Sequence, residues 1–339
     1  MTAVYGGIDL HSNNSMVVVK DAEGKVLYRR RLENDLRRIE AALAPYREQL
    51  SGVVVESTFN WYWLVDGLMA AGYPVKLANT AAIQPYSGLK HSDDESDAEW
   101  LAEMLRLGIL PTGYIYPPAE RAVRDLLRKR AHLVRQCTSN VLSVQNIMRR
   151  SDGARLRGGA SKALNLPQLH ALMPQPDVAL AMGASVAVIQ CLQEQITAIE
   201  QKVLSRVQLR AAFRLLKTTP GIGDILALTI LFETGAIGRF PSVGDFASYC
   251  RCVDSTKLSN RKKKGAGNTK NGNRYLAWAF VEAANFAIRW SVPIQRFYER
   301  KKQRTNGVVA IKAVAHKLAR ATYYILRDEV AFDVTKAFA

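Results

Sequence analysis

Along the first hundred residues, short apolar runs alternate with segments in which apolar side chains recur every three or four positions. These are the periods of strand and helix. Val4–Leu10 predicts a strand, and Met16–Lys20 a second after the polar turn His11-Ser12-Asn13-Asn14-Ser15. Lys25–Leu32 follows a Glu23-Gly24 turn as a third, completing an antiparallel meander. Asn34 stands where it can cap a helix with the apolar stripe Leu36, Ile39, Leu43. Val53-Val54-Val55 suits a strand buried on both faces. Trp61–Ala71 reads as a helix stopped at Gly72, and Pro74–Ala78 as a fifth strand.

Three antiparallel strands followed by helix, strand, helix, strand is the order of the ribonuclease-H-like α/β fold. From Glu120 the pattern becomes helical. Val123, Leu127, Val134, Cys137, Val141, Val144 and Met148 form one long stripe broken at Arg130, and Ile189, Leu192, Ile196, Ile199 and Val203 form another. Both have the spacing of coiled-coil seams, read either as an intramolecular helical hairpin or as a dimerisation arm. The Gly- and Pro-bearing stretch between them, Ser151–Pro176, reads as a loop or hairpin tip. Pro220-Gly221-Ile222-Gly223 then precedes an apolar helix, Ile225–Phe232. A short helix through Phe246 and Tyr249 follows, and helices near Tyr275–Ile288 and Val308–Ile325 close the chain. The expected domains are residues 1–112, α/β; 113–212, a helical coiled-coil connector; and 213–339, mostly helical.

Charge divides the same way. The 339-residue chain has a formal net charge of +17, yet residues 1–110 carry 11 Lys+Arg against 15 Asp+Glu. An acidic front and a basic back suit an acidic site acting on a polyanion held elsewhere. Arg124, Arg128 and Arg135 belong to a basic helix facing phosphates on this reading. Residues 255–274 hold seven basic residues and no acidic one, including Lys257, Arg261, Lys262, Lys263, Lys264, Lys270 and Arg274. Their glycines predict a mobile loop docking on a nucleic-acid backbone. The Gly221-x-Gly223 turn resembles a helix-hairpin-helix, with backbone N–H groups turned to a phosphate. No basic and apolar leader opens the sequence, and no uninterrupted apolar run approaches the ~18 residues of a membrane span. Cys137, Cys191, Cys250 and Cys252 are too few for a disulfide scaffold, and Cys250-x-Cys252 lacks the second pair of a zinc site. A cytoplasmic, nucleoid-associated protein fits these exclusions.

Three groups carry candidate chemistry. Asp9 ends the first strand, and Glu56 ends the central one. A polar run from His91 to Glu99 enters a helix expected over Asp97–Leu107, where Asp94 and Asp97, three apart, share a face. Asp93, Glu95 and Glu99 are near enough to blur that register. Four such carboxylates suit two Mg²⁺ ions ~3.5–4 Å apart, the arrangement that clamps attacking and leaving oxygens in phosphoryl transfer. In the basic loop, Ser255, Thr256 and Ser259 are all candidate nucleophiles whose developing charge the adjacent cations would stabilise.

Asp9 in its Gly-Ile-Asp strand, Glu56 in Val-Val-Glu-Ser-Thr, and Asp94-x-x-Asp97-Ala-x-x-Leu-Ala-Glu resemble the DEDD motif of the Piv-like recombinases, the transposases of the IS110 insertion-sequence family. Thr219-Pro-Gly-Ile-Gly, Arg239-Phe240 and the basic serine loop are similar to that family's second domain, in order. The resemblance implies a RuvC-like N-terminal domain, a coiled-coil connector and a C-terminal transposase domain with a catalytic serine. It implies Mg²⁺ at Asp9, Glu56, Asp94 and Asp97, and Ser259 as the nucleophile. It further implies donor and target DNA as partners, a structured bridge RNA as guide, and a dimer or tetramer. The sequence departs from the family where Arg251-Cys252-Val253-Asp254 replaces a Gly-Leu-x-Pro stretch and Asn260 a glycine. Two other readings of the same residues are a RuvC-like, metal-dependent nuclease or junction resolvase using water, and a catalytically silent nucleic-acid-binding protein.

Overall fold

A computed structural model describes residues 2–83, 94–153, 155–207, 209–253, 256–260, 262–266 and 271–338, without the side chains of 81, 94–96, 166, 170–171, 256–259, 263 and 266. The chain divides into two compact units, Met1–Pro118 and Ala119–Ala339.

The first unit is a mixed sheet flanked by helices. In chain order it contains β1 (Val4–Leu10), β2 (Asn14–Lys20), β3 (Val26–Glu33), α1 (Leu36–Leu43), β4 (Leu50–Glu56), α2 (Tyr62–Ala70), β5 (Val75–Ala78), α3 (Thr80–Ile83), α4 (Asp94–Arg106) and β6 (Thr112–Gly113). The sheet order is β3-β2-β1-β4-β5-β6. β1–β2 and β2–β3 are antiparallel, β1–β4 and β4–β5 parallel, and the short β6 pairs antiparallel with β5. This order is compatible with a ribonuclease-H-like fold. Alternation along the strands sorts two faces. Ile8, Leu10, Val17, Val19, Val53 and Val55 pack with Ile39 and Leu43 of α1 and Leu64 and Leu68 of α2. On the other face Val54 and Ala78 meet Leu101 and Leu105 of α4, and Met16 and Val18 meet Ala98.

Two local expectations change. Asp35, not Asn34, caps α1, its side chain accepting hydrogen bonds from the Arg37 and Arg38 backbone at 2.8 and 3.3 Å. Asn34 ties the first hairpin together instead, accepting from Ser15 Oγ at 2.7 Å and donating to the His11 carbonyl at 3.0 Å. Helix α4 also begins at Asp94, three residues before its expected start.

The second unit is helical apart from one hairpin. It contains α5 (Pro118–Asp152), α6 (Gly158–Ala163), α7 (Leu166–Leu172), α8 (Pro176–Val207), α9 (Ala211–Leu216), α10 (Asp224–Thr234), α11 (Val243–Tyr249), β7 (Thr256–Ser259), β8 (Lys262–Ala266), α12 (Arg274–Trp290), α13 (Val292–Arg304), α14 (Gly307–Asp328) and α15 (Val334–Phe338). Helices α5 and α8 run antiparallel. Cys137, Val141, Val144 and Met148 near the end of α5 pack with Met182, Val186 and Ile189 near the start of α8. At the opposite ends, Val123 and Leu127 share a core with Val203 and Val207. Arg130, which interrupts the first stripe, pairs with Glu200 of α8 at 2.7 Å. The tip is not a bare loop, because α6 and α7 fold into it and bury Leu164, Leu169 and Met173 against both long helices. Leu133 rather than Val134 takes the buried position in α5. Among the described residues α8 is the one helix long and apolar enough to cross a membrane, by length and composition alone. Expectation looked for an uninterrupted run and so passed over it; its buried residues face α5, α6 and α7.

Candidate active site

Parallel pairing places the candidate carboxylates. Ile8 is in register with Val55, so Asp9 and Glu56 follow as neighbours at the carboxyl ends of β1 and β4. Each continues the face shared by Gly7 and Val54, the face covered by α4. Gly7 makes the close approach of α4 possible. A Cβ there would lie 2.1 Å from the Ala98 carbonyl oxygen and 2.8 Å from the Ala102 nitrogen. Asp97 immediately precedes Ala98 on α4, and Asp94 opens the helix one turn earlier. Ala98 also packs on Met16, the residue paired with Asp9. The fold therefore lays the early part of α4 over β1 and β2 beside Asp9, and its later turns over β4.

Ion pairs hold the helix down and sort its acids. Lys20, almost wholly buried, reaches Glu103 at 2.8 Å and Glu99 at 3.3 Å, and Arg29 also binds Glu99. Arg106 binds Glu103, and its hydrogen bonds, working against burial and together with Lys20, hold that carboxyl down at about 2. Glu99 and Glu103 thus anchor the helix. Asp97 is half-buried with Oδ1 shut off from water. Asp9 is 2% exposed, and its Oδ2 accepts no hydrogen bond among the described residues. His11 Nε2 stands 3.2 Å from that oxygen, at ion-pair distance but out of hydrogen-bond alignment. A buried carboxylate oxygen without a donor is costly, and a hard cation is a chemically fitting partner. Glu56, half-buried, is the neighbouring hard donor. Among the described residues no three His, Cys, Asp or Glu side chains converge closely enough to hold a metal ion. The Asp94 and Glu95 side chains and all of Asp93 lie outside the described residues.

The candidate nucleophiles lie in the helical unit. The basic segment, expected as a mobile loop, forms an antiparallel hairpin in which Ser259 pairs with Lys262 and Thr256 with Ala266. Asn260 beyond the strand end has a φ of 51°, the left-handed conformation that Asn tolerates in tight turns. Ser259 thus ends β7 beside the turn, and Lys257 lies on the same strand. Lys262 and Lys264 are exposed on β8, and Lys263 lies between them. Ser255, Arg261 and Lys270 lie outside the described residues.

Several expected phosphate contacts have other occupations. Arg124 is 5% exposed, buried within the packed side of α5, so it presents no cation to a ligand. Arg128 forms a two-pronged pair with Glu233 of α10, Nε to Oε1 at 2.6 Å and Nη2 to Oε2 at 2.7 Å, and lies over the Tyr275 ring. Burial alone would lower its pKa, but the Glu233 hydrogen bonds and charge raise it. Arg135 and Arg274 are exposed. Gly221 is a packing residue, with φ +86° and space for a Cβ closed by the Ala283 carbonyl of α12 at 2.2 Å. Gly223 is open and precedes α10 as its cap. Burial pushes the Cys250 thiol well up and the Cys252 thiol to about 12, so both stay protonated at neutral pH. Sequence reasoning passed over Glu233 and Asn273; the available signal was a carboxylate, Glu233, set among the apolar residues of the last turn of α10.

Comparison with known proteins covers both units. A DEDD transposase family model matches residues 6–151, and the model described as Transposase IS116/IS110/IS902 family matches residues 213–299. The transposase for insertion sequence element IS1328 of Yersinia enterocolitica is 23% identical over 337 residues, 96% of this chain and 98% of that protein. The putative transposase y4qE of Sinorhizobium fredii is 24% identical over 288 residues, 83% of this chain and 70% of its own length. The insertion element IS110 uncharacterized 43.6 kDa protein of Streptomyces coelicolor is 27% identical over 147 residues, 43% of this chain and 36% of that protein. Two family models in the expected order and a relative matched almost end to end agree: the chain belongs to the IS110 family of insertion-sequence transposases.

Proposed function

We propose that this transposase cuts and rejoins DNA in the cytoplasm through a serine-linked intermediate, with Asp9, Glu56, Asp94 and Asp97 holding Mg²⁺ and Ser259 as nucleophile. The observation that carries the reading is the pairing of two strand-end carboxylates on the sheet face that α4 crosses at Gly7. The hard carboxylate oxygens, one of them buried and accepting no hydrogen bond among the described residues, suit a divalent cation. Bound there, Mg²⁺ supplies charge neutralisation at the scissile phosphate. The chain's own residues do the rest. The Ser259 hydroxyl attacks phosphorus, forming an Oγ–P bond as the P–O3′ bond breaks, and the serine proton ends on the departing 3′-hydroxyl. Attack by a 3′-hydroxyl on the phosphoserine reverses these steps and joins the new strand. Lys262 and Lys264, exposed beside Ser259 on the paired strand, offset charge on the phosphate.

The same reading assigns a structured bridge RNA to the choice of donor and target DNA. It assigns the α5–α8 hairpin to a dimer or tetramer contact, for which exposed Leu142, Leu180 and Val188 are apolar candidates. The deciding experiment supplies Mg²⁺, DNA and the element's flanking RNA. Wild-type protein is expected to leave DNA covalently attached to protein with a free 3′-hydroxyl, and Ser259→Ala to leave none. Undiminished cutting by Ser259→Ala, with free 5′-phosphate ends, would replace this reading by a water-using nuclease.

A further inference from the structure

Helix α11 ends in a tight cap. The Arg251 amide donates to the Ser248 carbonyl at 2.9 Å and the Cys252 amide to the Ala247 carbonyl at 3.0 Å, the paired bonds of a Schellman motif. The left-handed position of such a cap is usually glycine; here it is Arg251, with φ 55°. A long side chain kept in a conformation unfavourable to it calls for a compensating contact. Its guanidinium supplies one by crossing to the chain that returns from the hairpin. Nε donates to the Asn271 carbonyl at 2.9 Å and Nη2 to the Gly272 carbonyl at 3.1 Å. Beside it the Asn273 amide donates to the Tyr249 carbonyl at 2.6 Å. Gly272, at φ +83°, permits that crossing, since a Cβ would lie 2.5 Å from the same carbonyl oxygen.

The joint is anchored inward as well. Asn273 Oδ1 caps α12 by accepting from the Tyr275 and Leu276 amides, and its Nδ2 donates to Glu233 at 2.7 Å. Glu233 in turn holds Arg128 of α5. The outgoing and returning segments of the serine hairpin are therefore stapled to each other and to the buried helices. Arg251 is five residues from Thr256, so the start of β7 stands within ~18 Å of the joint by chain length.

We propose that Arg251 is a positioning residue that fixes the root of the β7–β8 hairpin and so aims Ser259. Asn273 and Glu233 are its inward anchor. The inference rests on Ser259 as nucleophile, and its test separates the two. Arg251→Gly suits the backbone angle and removes the staple; Arg251→Asn also tolerates that angle without glycine's flexibility. Both variants are expected to melt within a few degrees of wild type and bind donor DNA with unchanged affinity. Amides of β7 and β8 should exchange with deuterium about tenfold faster, with α12 unchanged. The rate of protein–DNA adduct formation should fall roughly 10²-fold. Hairpin exchange at the wild-type rate in both variants, or adduct formation at the wild-type rate, overturns the staple. Absence of any adduct from wild type overturns the serine reading instead, while the exchange measurement still decides the staple.

Discussion

Asp9 and Glu56 stand at the ends of hydrogen-bonded parallel strands inside a six-stranded sheet, with a helix pinned over them by Lys20 and Arg29. Ser259 stands at the end of a strand that, among the described residues, pairs only with the next strand along the chain. A two-stranded ribbon is marginal by itself, so its orientation depends on how its root is held. A strand inside a sheet is held on both sides. The proposed metal ligands and the proposed nucleophile are thus placed by different means. One fixes its groups through packing with distant parts of the chain, the other through a polar joint at the base of an excursion.

The sharpest way to break that contrast is Asp9→Asn. Strand cleavage is expected to fall roughly 10⁴-fold, with thermal stability unchanged or raised because a buried charge disappears. Loss of activity accompanied by unfolding would show that the carboxylate serves the sheet instead. Next in size is Arg128→Ala in the other unit, which leaves Glu233 buried without its bidentate partner. Urea unfolding is expected to show a loss of about 3–5 kcal/mol. The double variant Arg128→Ala/Glu233→Gln should recover part of it. The smallest effect sharpens the account of α4. Glu103 is held at about 2 by Arg106 and Lys20, below its ordinary 4.5. A folded-state pKa below the unfolded one adds stability that is full above pH 4.5 and lost as pH falls toward 2. Glu103→Gln should flatten stability against pH across that window, as followed by thermal melts.

Much of the first unit is legible in the sequence because short apolar runs such as Val17-Val18-Val19 and Val53-Val54-Val55 mark strands covered on both faces. The places of Asp9 and Glu56 follow from the strand ends alone. The role of Gly7 does not, since it depends on which helix crosses it, and α4 lies about ninety residues further on. Part of the basic stripe of α5 is hidden for the same reason. Arg128 looks solvent-facing until Glu233, 105 residues away, is seen to neutralise it. In the hairpin, glycines and lysines suggest a loop, and the turn signal is a lone Asn260 whose left-handed angle shows only in three dimensions. Helix α13 goes unread because its lysines and arginines mask a short apolar side, of which Ile294 alone is fully buried.

The closed joint beneath the hairpin also bears on how such a protein diversifies. Because Tyr249 and Asn273 meet directly, α11 and α12 are joined with the intervening segment looped out between them. Insertions, deletions or wholesale replacement within that segment need not disturb the helical core, provided the two ends still meet.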